Sequence, residues 1–281
     1  MIDVILSCRN TEKYIQECIE SILSQEYSQF RLFVFDDYST DSTVEKIKTF
    51  NDQRLTLVES KKNIGTYAAK NFIFNNFITS EYVALHDADD ISLSSRFNIQ
   101  LKELATTDPS VACIGTSVLE FWEMENFMPH TSSSFPVTEK SRINLYPEKI
   151  TIDSLVNDHS CDYISILKSK MCMNGTVIFR TSAIRDIGGW DGRTRFSGDS
   201  DIFLRLLGSG KTIKNIQNVL YKRRFHESSL TASSDTGINS AARTKYNDSI
   251  LSDVKKCIDG ICVKRDFFYP TFEYMVTKCV E

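Results

Sequence analysis

The sequence predicts an α/β protein: a mostly parallel sheet flanked by helices, followed by a small C-terminal helical extension. Short apolar runs of strand length alternate with amphipathic stretches of helix length, and this alternation is the first observation behind that prediction. The second is that polar and acidic residues stand where those runs end, at Ser7-Cys8-Arg9-Asn10, Asp36-Asp37 and His86-Asp87-Ala88-Asp89-Asp90. Strand–helix alternation builds βαβ units, whose ligands bind outside the carboxyl ends of the strands. Residues far apart in the chain are therefore expected to meet at one rim.

The elements justify themselves in order. Ile2 to Cys8 reads as a buried strand and Arg9-Asn10-Thr11 as its turn, with Asn10 or Thr11 available as a helix N-cap. Tyr14, Ile15, Cys18, Ile19, Ile22 and Leu23 then recur on one helical face. Leu32 to Phe35 makes a second strand, after which Ser42 and Glu45 have capping-box spacing before a helix that turns Val44, Ile47 and Phe50 inward. Arg54 to Val58 is a third strand, and Asn63-Ile64-Gly65 leads into the next helix. Tyr82 to Leu85 is a fourth strand, followed by a helix through Arg96, Ile99 and Leu104 and a strand at Val111 to Gly115.

From Phe121 to Ser165 the pattern weakens, with three prolines among aromatics, Ser and Thr, and reads as an excursion from the sheet of a kind that carries specificity. Order returns with a strand at Asn174 to Arg180 and a short helix stopped by Gly188-Gly189. A helix opened by Asp199 carries Ile202, Phe203, Leu206 and Leu207, and a strand lies within Lys214 to Phe225. The tail from about Ile238 reads as one helix and an aromatic-rich segment packed on the same domain.

Composition excludes several classes. With 281 residues, 41% hydrophobic and 25% charged, the chain can bury a full core and is not of disordered composition. A net charge of −4 argues against a nucleic-acid binder that neutralises phosphates broadly. No apolar run approaches the roughly 20 residues of a membrane span, and the chain opens on a strand in place of a signal peptide. A cytoplasmic protein is expected, with peripheral membrane association left open and the oligomeric state unread. The eight cysteines stand mostly in apolar contexts and read as reduced thiols, with Cys257 and Cys262 a weak metal or redox hint.

Several groups carry chemistry, each with a plainer reading beside it. Asp87, Asp89 and Asp90 repel one another unless a hard divalent cation such as Mg²⁺ or Mn²⁺ lets them stay ionised; alternatively they form a solvated acidic turn. Lys70, one turn beyond Gly65, reaches a phosphate or is simply solvated. Asp199 and Asp201 suit a helix N-terminus in any case, and Trp190 is a sugar-stacking platform if exposed and a core aromatic if not. Arg223, Arg224 and His226 beside hydroxyls would suit phosphate oxygens or complete a metal shell.

Taken together, Ser7-Cys8-Arg9-Asn10, Asp36-Asp37-x-Ser39-Thr40-Asp41, Asn63-x-Gly65, His86-Asp87-Ala88-Asp89-Asp90, Gly188-Gly189-Trp190-Asp191, Gly198-Asp199-x-Asp201 and His226 closely resemble, in this order, family 2 glycosyltransferases of the GT-A fold. The resemblance covers residues 2 to about 231, and the joint order is far more specific than any one motif. It implies a Rossmann-like nucleotide-binding domain over 1–231, with a nucleotide-sugar-binding half at 1–115, an acceptor-binding and catalytic half at 116–231, and an extension at 232–281. It further implies an inverting hexosyl- or N-acetylhexosaminyltransferase of the polysaccharide-biosynthesis type. The donor would be a nucleotide sugar, a UDP-sugar first, and the acceptor a glycan or glycoconjugate hydroxyl.

Carried over residue by residue, the resemblance places Ser7, Arg9, Asp36, Asp37, Lys70, Asp87, Ala88, Arg223 and Arg224 against the donor, with Asp37 accepting from a uracil ring N–H. Asp89 would hold Mn²⁺ or Mg²⁺ with His226, and Asp87 would contact ribose or the ion. Asp90 is left to cap the next turn. Asp199 would be the general base, and Trp190, Asp191 and Asp201 would face the acceptor. Gly198 stands where the family often has Glu, and Arg9 where it often has an aromatic. The competing readings are a nucleotidyltransferase, which would want a Gly-rich first loop that Ser7 to Thr11 lacks, and a non-catalytic nucleotide- or carbohydrate-binding subunit. A receiver domain leaves the C-terminal half unused, and a dehydrogenase lacks its GxGxxG.

Overall fold

The computed structural model describes residues 1–123, 141–156, 171–195, 197–226, 241–259 and 261–279. One sheet organises them. Its N-terminal part is β1 (Ile2–Cys8), β2 (Phe30–Asp36), β3 (Leu55–Ser60) and β4 (Tyr82–Asp87), linked by α1 (Ile15–Leu23), α2 (Thr43–Lys48) and α3 (Thr66–Phe77). These strands lie in the order β3-β2-β1-β4 and all pair in parallel. The interior of β1 is fully buried, and its side chains alternate between two cores, Ile5 facing one and Val4 and Leu6 the other. That is the two-faced burial a central parallel strand requires.

Beyond β4 the sheet becomes mixed. After β5 (Ile91–Ser92) and α4 (Arg96–Thr106) come the long β6 (Val111–Trp122), the short β7 (Ser141–Asn144) and β8 (Lys149–Ile150), and α5 (Ile152–Val156). A 3-10 turn at Asn174–Thr176 precedes β9 (Ile178–Arg180), then α6 (Thr181–Ile187), α7 (Gly198–Gly208) and β10 (Thr212–Phe225). Strand β9 inserts antiparallel between β4 and β6, while β10 runs parallel to β6. The expected excursion at 121–165 thus begins as a continuation of β6; 124–140 and 157–170 lie outside the described residues.

The C-terminal stretch holds α8 (Ala241–Ile258) and a strand that the sequence reading did not foresee, β11 (Tyr274–Lys278), which pairs antiparallel with β3 at the sheet edge. Between them the chain crosses the loop after α6. The Arg265 N–H donates to the Ile187 carbonyl at 2.9 Å, and Phe267 stacks on Phe74 with centroids 5.4 Å apart. Gly188 ends α6 at φ 77°, and a Cβ there would lie 1.5 Å from the Arg265 carbonyl oxygen. Glycine is therefore needed twice over, for the left-handed turn and for the crossing strand.

Two capping expectations are corrected. Helix α1 starts after Tyr14, and Asn10, at φ 52°, instead accepts a hydrogen bond from the Thr40 N–H at 2.8 Å. Ser42 makes no side-chain cap; the Asp41 carboxylate accepts from the Thr43 N–H at 3.1 Å and from its hydroxyl at 2.6 Å. The turn after β1 is tied to the turn after β2 by the Asn10–Thr40 bond and by the N–H groups of Thr11 and Glu12, which donate to the Thr43 hydroxyl at 2.8 Å and to Asp41 at 3.1 Å.

Candidate active site

The carboxyl ends of β1, β2 and β4 form the rim, with Ser7 in register with Asp87 and Cys8 with Asp36. Asp36 closes its own turn, accepting from the Ser39 N–H at 3.0 Å and from the Ser39 hydroxyl. Asp37 reaches further. It accepts from the backbone N–H of Ile64 at 2.6 Å, of Gly65 at 2.8 Å and from the Asn63 amide at 3.2 Å. The carboxylate therefore shapes the turn that starts α3, whose Gly65 stands at φ 92°. Burial pushes both Asp36 and Asp37 above the usual carboxylate range, against the hydrogen bonds that favour the anion. The Arg9 side chain is exposed and acts on Asp37 through its charge.

The three carboxylates after β4 separate into different environments. Asp87 ends the strand, its N–H donating to the Tyr221 hydroxyl at 3.1 Å and its carbonyl 2.8 Å from Nδ1 of His86. Burial raises its side chain, with Lys70 as the main opposing charge. Asp89 Oδ2 lies 2.9 Å from Nε2 of His226, whose ring packs on Tyr14 at 4.5 Å. Asp90 does not cap a solvated turn. It is buried, accepts from the Arg224 N–H at 2.8 Å, and is pushed well up by burial and by Asp89 and Asp87.

The arginines expected on a phosphate are engaged by protein carboxylates. Arg224 binds Glu17 and Glu123, donates to the Asp89 carbonyl at 3.0 Å and packs over Tyr14 and Phe121. Arg223 pairs with Glu120 at 3.2 Å, while its charge still acts on Asp87 and Asp90. Sequence reading missed Arg96, a fully buried cation at the start of α4. It donates to Gln100, Ser92 and the Leu85 carbonyl at 2.9–3.0 Å, and burial brings it down to about 10. Its charge acts on Asp87 and Asp90. An arginine in a first helical turn looks solvated in sequence, so no local signal marked it.

Asp199 lies half-buried in the first turn of α7, with the Tyr67 hydroxyl 3.5 Å from its Oδ1. Lys70 feels the carboxylates of both Asp87 and Asp199. It is 3% exposed, pushed down by burial, and held up by the charges of Asp87 and Asp199. Tyr67 and Lys70 stand at i, i+3 on one face of α3, a spacing that was available in sequence.

The three residues expected to face the acceptor do not do so as a group. Trp190 is 0% exposed, edge-on to Phe74 and Phe179, so neither ring face is open to a sugar. Asp201 forms a buried pair with Arg205 at 2.7 Å and also accepts from Arg265 at 3.0 Å. Asp191 is bound by the Tyr246 hydroxyl at 3.1 Å and lies near Arg265. They hold α7 and the C-terminal segment together, and so fix Asp199 indirectly. Ala88 is buried, and Glu227 to Thr231 lie outside the described residues.

Comparison with known proteins places this geometry. The family model described as glycosyl transferase family 2 matches residues 3–185. EpsE of Bacillus subtilis (strain 168), whose name gives its glycosyltransferase assignment as provisional, is 29% identical over 247 residues, covering 84% of this chain and 79% of EpsE. An Escherichia coli protein, the UDP-Glc:alpha-D-GlcNAc-diphosphoundecaprenol beta-1,3-glucosyltransferase WfgD, is 30% identical over 101 residues, 36% of this chain and 40% of WfgD. Among solved structures, S. aureus TarS 1-349 in complex with UDP-GlcNAc superposes with a TM-score of 0.58 at 18% identity, over 91% of this chain and 72% of that one. The mannosyltransferase PcManGT from Pyrobaculum calidifontis, in complex with GDP-Man and Mn²⁺, gives 0.61 at 18% identity, over 91% and 64%. Among the described residues no helix is long and apolar enough to cross a membrane. With a family match over most of its length and a sheet of the same architecture, the chain belongs to glycosyl transferase family 2 and is a sugar-transferring enzyme of the GT-A fold.

Proposed function

We propose that the protein is an inverting, metal-dependent transferase that moves a sugar from a UDP-sugar to a hydroxyl of a glycan or glycoconjugate, with Asp199 as general base. The observation that carries this reading is Lys70, a buried cation on which the charges of Asp87 at the end of β4 and of Asp199 at the start of α7 both act. A carboxylate suited to the donor and one suited to the acceptor thus lie within the electrostatic reach of one buried cation.

The donor-side residues fit a divalent cation. Asp89 and His226 pair a carboxylate oxygen with an imidazole nitrogen 2.9 Å apart, a donor set that suits Mn²⁺. When bound, such an ion acts as a Lewis acid toward the charge developing on the leaving diphosphate. Lys70 would add a positive charge toward the diphosphate, and Asp87 and Ser7, adjacent in the sheet, would contact ribose and nucleoside. Asp37 retains one lone pair, on Oδ1, beyond those that hold the Asn63–Gly65 turn, and the charge of Arg9, in the loop after β1, acts on it. On the other side the Asp199 carboxylate takes the proton of the attacking hydroxyl as the new glycosidic bond forms.

Incubation with Mn²⁺ and a panel of UDP-, GDP- and dTDP-sugars, with release of the nucleoside diphosphate measured, tests the reading. Release of UDP is the expected result. Release of GDP or dTDP alone would move the base assignment, and pyrophosphate release from a nucleoside triphosphate would replace transfer with nucleotidyl chemistry.

A further inference from the structure

We propose that Tyr67 is the positioning residue that sets the rotation of the Asp199 carboxylate, and that Gly198 lacks a side chain because the Tyr67 ring occupies that place. The inference rests on the reading of Asp199 as the base. Tyr67 lies in the first turn of α3, its ring 7% exposed, and its hydroxyl donates to Oδ1 of Asp199 at 3.5 Å. A Cβ built on Gly198 would stand 2.9 Å from three atoms of that ring, closer than packed side chains approach. Nζ of Lys70 lies 5.3 Å from the ring centroid. The ring is thus packed on the backbone that precedes Asp199, with a buried cation near it.

The terminal torsion of an aspartate is broad, so a carboxylate with one free face can rotate out of line. A base must present one oxygen to the hydroxyl it deprotonates. The Tyr67 hydroxyl engages Oδ1 and leaves Oδ2 for the incoming proton. Because Tyr67 stands two residues beyond Gly65, and the Gly65 N–H is bound by Asp37, the same turn that shapes the nucleoside side also sets the orientation of the base.

A double-mutant cycle on Tyr67→Phe and Asp199→Asn tests this, reading the rate of UDP release from UDP-GlcNAc or UDP-Glc with Mn²⁺ and water as acceptor. Tyr67→Phe keeps the ring and removes only the hydroxyl. It is expected to lower kcat about tenfold, less than the roughly 10²-fold that a 1 Å misplacement can cost, with KM for the donor and the melting temperature unchanged. In the Asp199→Asn background the same change is expected to have no further effect, because a residue acting through another is non-additive with it. A wild-type kcat in Tyr67→Phe, or the same tenfold loss persisting beside Asp199→Asn, would overturn the proposal. Full rate in Asp199→Asn alone would overturn it together with the reading on which it rests.

Discussion

Nε2 of His226 stands 2.9 Å from Oδ2 of Asp89, and the residues between them explain why. Two positions before the histidine, Arg224 binds the buried Asp90 through its backbone N–H and the Asp89 carbonyl through its side chain. The end of β10 is thereby fastened to the turn after β4, and the Asp89–His226 pair follows from that attachment. Two of the acidic residues thus have separate work: Asp90 holds the strand, and Asp89 faces the imidazole.

If that pair is a metal site, loss of either partner weakens the ion without unfolding the domain. Titration calorimetry of Mn²⁺ in the presence of UDP is expected to show more than about a tenfold loss of affinity in Asp89→Asn and in His226→Ala. Chelation should suppress UDP release and added Mn²⁺ should restore it. Unchanged Mn²⁺ affinity in both variants would remove these residues from the site.

Trp190 separates packing from recognition. Buried against Phe74 and Phe179, it should behave as a core residue, so Trp190→Ala is expected to cost about 3–5 kcal/mol in urea unfolding while UDP affinity stays constant. A variant of normal stability and lost transfer would restore it to the acceptor side.

These cases show what the sequence made legible. Strands β1 to β4 were readable because buried parallel strands are continuous apolar runs, and their ends gave Ser7, Asp36, Asp37 and Asp87 to one rim. Trp190 was not readable, because a tryptophan carries no local mark of its burial. Arg223 and Arg224 looked free since Glu120, Glu123 and Glu17, which bind them, lie about 100 residues or more away in the chain. Strand β11 was hidden in an aromatic-rich tail whose pairing with β3 is non-local. Long-range partners decided each of these outcomes, and local pattern holds no record of them.

His86 gives a pH dependence with a definite sign. Burial, with Arg96 nearby, brings it from 6.5 down to about 3, so it is neutral in the folded protein while the unfolded chain takes up a proton first as pH falls. The stability held by the neutral ring is complete above about pH 6.5 and is lost as pH falls from there toward 3, about 2 kcal/mol of it by pH 5. The raised Asp87 and Asp90 act in the opposite sense, so the comparison must be between wild type and His86→Asn, which keeps a donor near the Nδ1 position. Urea midpoints at pH 7 and pH 5 should fall further in wild type than in the variant. Parallel behaviour would show that His86 is not neutral when folded.

The most direct test of the account is the rate of UDP release by Asp199→Asn, measured beside UDP binding by the same variant. The predicted result is a loss of roughly 10²–10⁴ in rate, with UDP affinity kept within about twofold, because the proposed base acts on the acceptor hydroxyl and not on the nucleotide. A variant that turns over donor at the wild-type rate would contradict the account.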